Sequence, residues 1–114
     1  MEKMYTLARG GRAREFGYEE KPTGVVFHTG KEFSSSYYFT NKDLSGILEH
    51  FKDKGWFILG NQVDNVKPNG MGAYFESAFG LSLVKLASHV GAYLVKREKL
   101  LYRDDNGLLE FKVK

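Results

Sequence analysis

The chain has no cysteine among its 114 residues, only two prolines, and no apolar run long enough to cross a membrane. Without cysteine, disulfides, thiolate zinc sites and cysteine nucleophiles are excluded. A membrane-spanning helix needs about 18 or more consecutive apolar residues, which the sequence does not contain. Residues 1–5 also lack the basic and apolar regions of a secretory signal. We therefore expect a cytoplasmic protein that makes no membrane contact.

Composition favours a single small domain with a weak preference for anionic partners. Apolar residues make up 42% of the chain and aromatic residues 15%, which is enough for a packed core at this length. The 17 basic and 14 acidic residues leave a net charge of +3, which permits binding to an anion such as DNA. The three histidines lie far apart in the sequence. We expect one domain over residues 1–114, without a metal site or a cofactor.

Residues 1–40 are predicted to be rich in β-structure. An apolar run at residues 4–8 is typical of a strand, and the β-rich runs 24–28 and 33–39 are separated by a connection of hairpin length. In the last run, we expect Tyr37 or Phe39 to turn into the core while the serines face solvent. The two histidines of the first half have no base or nucleophile beside them in sequence and are interpreted as structural: His28 and His50.

Residues 41–114 are predicted to contain three helices. The first begins with Thr40 or Asn41 as N-cap, has Asp43 in its first turn and ends before Gly55. Its apolar residues recur at helical spacing: Leu44, Ile47, Leu48 and Phe51. Trp56, in the apolar run that follows, is expected to be a core anchor.

The second and third helices are separated by a short turn. Helical spacing marks residues 71–79, and Gly80 is placed to end that helix. Ser82 is expected to cap the third helix, residues 82–96. That helix is predicted from an apolar stripe: Leu83, Leu86, Ala87, Val90 and Leu94.

The C-terminal segment predicts a β-hairpin, because apolar runs flank Asn106-Gly107. Helix, glycine-containing turn, helix and hairpin follow each other over residues 71–113, and this order resembles that of the winged helix-turn-helix superfamily. We therefore predict an α+β fold. In it, a winged-helix-like three-helix unit with a C-terminal hairpin, residues 41–114, follows an N-terminal β-hairpin region, residues 1–40.

The resemblance implies binding of double-stranded DNA through the third helix, the recognition helix of that superfamily. Its apolar stripe leaves an outward face on which four residues can contact phosphates or base edges: Lys85, Ser88, His89 and Lys96. Ala92, on the same face, is small enough to allow close approach. Lys99 and Arg103 of the hairpin are expected to support this contact from the side. Arg, Asn and Gln are missing from the face, so we expect affinity directed mostly at the DNA backbone.

A basic loop precedes the first predicted hairpin. Arg9, Arg12 and Arg14 lie on a glycine-containing segment that suits phosphate contacts or insertion into a minor groove. Alternatively, these arginines are solvated or pair with acidic neighbours: Glu15, Glu19 and Glu20. Taken together, they are the densest DNA-binding patch that the sequence predicts.

The tip of the C-terminal hairpin favours a different partner. Asp104 and Asp105 lie where a DNA-binding wing would carry Lys or Arg. The alternative function is a non-catalytic protein-interaction module with the same fold. Such a module is expected to expose an apolar patch around one of three aromatic residues: Tyr93, Tyr102 and Trp56. A homodimer is compatible with either function.

No residue set at catalytic spacing supports an enzyme. Glu110 and Lys112 match one part of a metal-dependent nuclease site, but a carboxylate on another strand at suitable spacing is missing. Residues 70–72 lack the lysine of a phosphate-binding loop. We therefore predict a protein without enzymatic activity.

Overall fold

The computed structural model describes residues 1–7, 13–105 and 108–114. Helices account for 37% and strands for 34% of the chain, so the predicted α+β class is confirmed. The chain divides into two compact units, Met1–His50 and Phe51–Lys114. This boundary falls at the end of the first helix, whereas the sequence places the change in character at its start. Among the described residues, no helix is both long and apolar enough to span a membrane.

The first unit contains a four-stranded antiparallel sheet. Its strands lie side by side in chain order and are β1 (Glu2–Tyr5), β2 (Glu15–Lys21), β3 (Gly24–Thr29) and β4 (Ser35–Thr40). The predicted hairpin is formed by β3 and β4. The region holds more than this hairpin, because β1 and β2 extend it to a full sheet. Only two residues of β2, Phe16 and Tyr18, are apolar and alternate, and the charged residues around them hid this strand in the sequence.

One face of this sheet forms the core of the unit. Side chains alternate between faces along each strand, which turns five residues inwards: Phe16, Tyr18, Val25, Phe27 and Phe39. The Phe27 and Phe39 rings meet edge to face with centroids 5.7 Å apart. Burial of each such side chain contributes about 1.5–3 kcal/mol. Phe39 is thus the core residue of β4, while Ser36 and Tyr38 lie exposed on the opposite face.

Helix α1 (Asn41–Phe51) begins as the sequence predicts. The Asp43 main-chain N–H donates to Thr40 Oγ1 (3.0 Å), and the Thr40 main-chain N–H donates to Asp43 Oδ2 (2.9 Å). This reciprocal pair satisfies donors that the first turn of a helix leaves unpaired. Leu44, Ile47 and Phe51 are buried on one side of the helix.

The second unit combines two helices with a three-stranded antiparallel sheet. Its elements are, in chain order, β5 (Phe57–Ile58), α2 (Met71–Phe79), a 3₁₀ segment (Leu81–Leu86), α3 (Ala87–Lys96), β6 (Leu100–Asp105) and β7 (Leu108–Val113). The strands are ordered β5, β7, β6, so the last strand lies in the middle. The predicted C-terminal hairpin is confirmed as β6 and β7.

The helix predicted over residues 82–96 is shorter than expected. Residues 81–86 form a 3₁₀ segment whose N-cap is Gly80 (φ +99°), so Ser82 lies inside this segment and does not cap an α-helix. Only Ala87–Lys96 is α-helical. Leu86, Ala87, Val90 and Leu94 are buried, as the apolar stripe predicts, and Leu83 is half-buried.

Helix α3 is enclosed through its middle. The five consecutive residues 90–94 are all buried, and this includes Ala92 and Tyr93. The expectation that Ala92 faces outwards is therefore wrong. Close packing against β7 explains part of this burial, because a Cβ added at Gly91 would lie 2.8 Å from Cζ of the Phe111 ring.

Aromatic rings fill the core of the second unit, but Trp56 is not one of them. Phe51 stacks on Phe57 with centroids 3.8 Å apart, and Phe57 lies 6.0 Å from Phe111. Trp56 precedes Phe57 and is half-exposed, with the Arg103 guanidinium 4.2 Å from its ring centroid. The expectation that Trp56 anchors the core is wrong, because alternation along β5 sends Phe57 inwards instead.

Helix α3 ends in a turn that places Glu98 in the left-handed region, at φ +61°. The Lys99 main-chain N–H donates to the Leu94 carbonyl oxygen (2.8 Å), and that of Glu98 donates to the Val95 carbonyl oxygen (3.0 Å). This is a Schellman motif, in which glycine usually occupies the position of Glu98. A residue with a Cβ is strained there.

We predict that Glu98→Gly raises the melting temperature of the protein, because glycine relieves about 1 kcal/mol of backbone strain at this position. Glu98→Ala is the matched control, since it also removes the carboxylate but keeps the Cβ. Thermal denaturation followed by circular dichroism measures the difference. Equal melting temperatures for the two variants would contradict the prediction.

We further predict that Gly91→Ala destabilises the protein. Overpacking of a core costs about 1–3 kcal/mol, which exceeds the gain in helix propensity of up to about 1 kcal/mol. In a Phe111→Leu background the ring is absent, so the same alanine should be neutral or stabilising. Urea denaturation of the four proteins of this cycle measures the coupling. A loss of stability that is the same in both backgrounds would disprove the contact.

Candidate nucleic-acid interface

The start of α3 brings together three of the predicted DNA-contacting residues. Lys85 is exposed, and Ser88 and His89 are half-buried. The Ser88 hydroxyl donates to the Lys85 carbonyl oxygen (3.2 Å), and Nδ1 of His89 lies 3.3 Å from the same oxygen. Both side chains are thus held against the preceding turn. Lys85 ends the 3₁₀ segment and the other two residues lie in the first turn of α3, so we refer to the three together as the N-terminal end of α3.

The end of α3 and the base of the hairpin form a second, more basic surface. We call it the basal cluster; it consists of five exposed side chains: Lys96, Arg97, Lys99, Lys112 and Lys114. The Lys114 main-chain N–H donates to the Lys99 carbonyl oxygen (3.2 Å), which joins the two ends of the hairpin. In the register of β6 and β7, Lys112 lies opposite Leu101, two residues along from this pair.

Charge at the basal cluster is nearly all of one sign. Glu98 is the only acidic residue in the segments 96–99 and 112–114. Cations at the C-terminal end of a helix interact favourably with the helix dipole. The positions of Lys96 and Arg97 therefore do not by themselves indicate a ligand. Lys99 and Lys114 lie outside the helix, and like charges directly opposite each other destabilise a strand pair. Their juxtaposition indicates a surface that is suited to an anion.

Arg103 of the hairpin makes two contacts within the sheet. Its Nε donates to Glu110 Oε1 (2.9 Å), and its guanidinium lies over the Trp56 ring. Arg103 therefore stabilises the outer face of the sheet, and Glu110 offsets much of its charge. Asp104 is exposed near the hairpin tip. Charge thus changes along the hairpin from basic at its base to acidic towards its tip.

The arginine loop is described only in part. Arg9 and Arg12 lie outside the described residues. Arg14 lies in the first unit with its side chain exposed, and its main-chain N–H donates to Thr6 Oγ1 (3.0 Å) next to β1 and β2. The Thr6 main-chain N–H donates in turn to the Arg14 carbonyl oxygen (2.9 Å). Whether this loop binds phosphates stays a prediction.

Three hydrogen-bonded side chains cross the outer face of the first sheet. Their contact was not predicted from the sequence. Nε2 of His28 on β3 lies 2.7 Å from Glu19 Oε1 on β2, and Nδ1 lies 3.0 Å from the Ser36 hydroxyl on β4. His28 therefore has an acidic and a hydroxyl neighbour in the structure, although neither lies beside it in sequence. Because the side chains lie on an open sheet face and tie three strands together, we assign them a structural role.

The pKa of the Glu19 carboxyl lies below its usual value of 4.5. The main cause is the hydrogen bond from His28, followed by the positive charge of Lys21, whose Nζ lies 3.7 Å from Glu19 Oε2. Both stabilise the charged carboxylate. The folded state therefore holds this proton less tightly than the unfolded chain does.

The basal cluster could have been found in the sequence from the register of the hairpin. Asp105 pairs with Leu108, and each step back along β6 from this pair corresponds to one step forward along β7. This counting places residue 99 opposite residue 114. The chain across Glu19, His28 and Ser36 offers no such signal, because it depends on β2, which the sequence did not reveal.

Comparison with family models, with curated proteins and with solved structures finds no significant match to this chain. The assignment of the candidate interface therefore rests on the geometry and charge of its residues. It has two accessible parts in the second unit, the N-terminal end of α3 and the basal cluster. The buried residues 90–94 separate them.

We predict that Glu19→Gln makes stability less dependent on acidic pH. A lowered pKa stabilises the folded state above the unfolded value of about 4.5, and this contribution disappears as pH falls through the folded value. The wild-type melting temperature should therefore fall more than that of Glu19→Gln between pH 6 and pH 3. Glu15→Gln, an exposed carboxylate on the same strand, should follow the wild type. Parallel curves for all three proteins would contradict the assignment.

Proposed function

We propose that this protein is a non-enzymatic, cytoplasmic DNA-binding protein that contacts the phosphate backbone of double-stranded DNA through the basal cluster. The order of its elements supports the proposal. Strand, helix, turn, helix and hairpin, with the last strand between the other two, resemble the arrangement of winged helix-turn-helix domains. In such domains, the helix after the turn and the hairpin contact DNA.

The pairing of Lys99 with Lys114 is the observation that carries the proposal. The hydrogen bond between their main chains places two like charges on neighbouring strand ends. Lys112 adds a third on the same face of the sheet, and Lys96 and Arg97 add two more at the helix end. Repulsion between the lysines at the strand ends destabilises the free protein, and binding gains free energy when the phosphates of DNA release their counterions.

In this proposal, the N-terminal end of α3 is the part of the protein that contacts the bases. Residues at the start of a recognition helix are the ones that usually reach base edges. Lys85 can donate to guanine, and Ser88 and His89 to bases or phosphates. Because Ala92 and its neighbours are buried, the middle of α3 contributes no contact. We therefore expect strong salt dependence and weak sequence preference.

A protein-interaction module remains the second candidate, and one observation favours it. Three large apolar side chains of the hairpin are well exposed: Leu101 (42%), Tyr102 (50%) and Leu108 (53%). Tyr93, by contrast, is buried, and Trp56 is covered in part by Arg103. Two other exposed apolar side chains described in this unit, Val63 and Leu81, lie outside the hairpin.

We predict that the protein binds a labelled random-sequence duplex, with an affinity that falls linearly on a plot of log K against log salt. Contact of the whole basal cluster with phosphates gives a slope of about −4.5, and Lys99→Gln/Lys112→Gln should reduce its magnitude by about 2. Fluorescence anisotropy between about 50 and about 200 mM salt measures both slopes.

The matched control is Lys31→Gln/Lys52→Gln, which removes two exposed lysines outside the cluster. It should leave the slope close to that of the wild type. Lys85→Gln/His89→Ala tests the start of α3 and should reduce any preference for one duplex over another. No binding at low salt, or equal slopes for the cluster and control variants, would overturn the proposal and favour a protein partner.

A further inference from the structure

Strand β4 (Ser35–Thr40) is one edge of the four-stranded sheet and pairs only with β3 among the described strands. It contains no charged residue and no proline, which are the features that usually protect an edge strand from further pairing. The opposite edge, β1, is protected in this way, because two of its four residues are Glu2 and Lys3. Ser36 and Tyr38 of β4 are exposed. Strand β4 is therefore a template for another strand.

Hydrogen bonding at the end of the β3–β4 hairpin shows which main-chain groups of β4 point outwards. The Asn41 main-chain N–H donates to the Thr23 carbonyl oxygen (2.9 Å), so the groups of residue 41 point towards β3. These groups alternate in direction along an antiparallel strand. Those of Tyr37 therefore also point towards β3, whereas those of Ser36 and Tyr38 point away from it.

Contacts within the chain occupy the N–H groups at both ends of this outer edge. The Ser34 N–H donates to the Lys31 carbonyl oxygen (3.2 Å), and the Thr40 N–H donates to Asp43 Oδ2 (2.9 Å). Between these ends, the outer side of the described strand offers two N–H and two C=O groups, which belong to residues 36 and 38.

We infer that β4 pairs antiparallel with β4 of a second copy of this chain, about a two-fold axis at Tyr37. Ser36 then lies opposite Tyr38 of the second copy, and Tyr38 lies opposite Ser36. Each of these two pairs exchanges two main-chain hydrogen bonds, because both residues direct their groups outwards. The pairing therefore uses all the outward groups of residues 36 and 38 in both copies.

The occupied N–H groups select this register. An axis at Tyr38 would place Ser36 opposite Thr40 of the second copy, and an axis at Ser36 would place Tyr38 opposite Ser34. In both cases the opposing N–H already donates within its own chain, so the pairing would lose hydrogen bonds. The available groups complement each other fully in one register of the strand with itself, which favours a second copy as the partner.

Side chains around the axis are compatible with this pairing. The Tyr37 side chains of the two copies lie directly opposite each other on one face, and the exposed Tyr38 side chains are diagonal neighbours on the other face. Aromatic cross-strand pairs of both kinds are within reach and stabilise a sheet. The segments next to β4 each carry one basic and one acidic residue, so neither end has an excess of like charge: Lys31 and Glu32 before it, Lys42 and Asp43 after it.

The resulting dimer is expected to be weak. Pairing centred on three residues of each copy buries much less than the roughly 1,600 Å² of a standard interface. We therefore expect a dissociation constant on the order of 10–100 μM. The two four-stranded sheets join into one continuous sheet across the two-fold axis.

Disulfide trapping tests the position of the axis, since the natural chain has no cysteine. In Tyr37→Cys, the two introduced thiols belong to a pair whose Cα atoms are about 4.5 Å apart, which a disulfide can span. Ser35→Cys is the matched control: it lies on the same face of β4, but its two copies are roughly 13 Å apart. With diamide as oxidant, non-reducing electrophoresis should show a covalent dimer forming several-fold faster for Tyr37→Cys. Equal rates, or no covalent dimer, would overturn the inference.

Sedimentation velocity on the full chain without DNA tests the strand pairing itself. The wild type should shift from monomer to dimer as its concentration rises through the micromolar range. Tyr38→Pro should remain monomeric, because proline removes an N–H that points away from β3 and makes no hydrogen bond in the hairpin. Tyr38→Thr, the matched control, keeps this N–H and should still dimerise. A wild type that stays monomeric, or a dimer that Tyr38→Pro leaves intact, would disprove the pairing.

Amide hydrogen exchange of the wild type provides a test that does not depend on whether the variants fold. The amides of Ser36 and Tyr38 should exchange several-fold more slowly in concentrated than in dilute protein. The amide of Tyr37, which faces β3, should be protected equally at both concentrations. Exchange at residues 36 and 38 that is independent of concentration would contradict the proposed edge.

Discussion

The approach of α3 to the Phe111 ring is the constraint on which the second unit depends. Gly91 has no side chain, so the helix lies closer to β7 than a residue with a Cβ would allow. Phe111 is fully buried and stands on the central strand, which pairs with β5 on one side and β6 on the other. This single contact therefore positions the helix against the whole sheet. As a result, the end of α3 meets the base of the hairpin, and the basal cluster forms.

The hairpin has a charge gradient from its base to its far end. Its base carries Lys99, Lys112 and Lys114, and its far end carries Asp104 and Asp105. The basic end suits phosphates, whereas an acidic end near phosphates weakens binding.

Features governed by neighbouring residues could be predicted from the sequence. The hydrogen bonds between Thr40 and Asp43 start α1 where the capping residues indicate, and apolar spacing located α2. The hairpin followed from the Asn106-Gly107 signal between apolar runs. Features governed by distant residues could not be predicted in this way. Strand β2 has few apolar residues of its own and is stabilised by pairing with β1 and β3 on its two sides.

The sequence by itself determined where α1 and α2 begin, that β3 and β4 form a hairpin, and that the chain ends in a second hairpin. Only the tertiary structure decided that Ala92 is enclosed, that Trp56 lies under Arg103, and that the chain from Glu19 to Ser36 passes through His28. The physical reason is that periodicity describes a single element. Burial and hydrogen bonding depend instead on which elements pack together, and in this protein those contacts join residues that lie far apart along the chain.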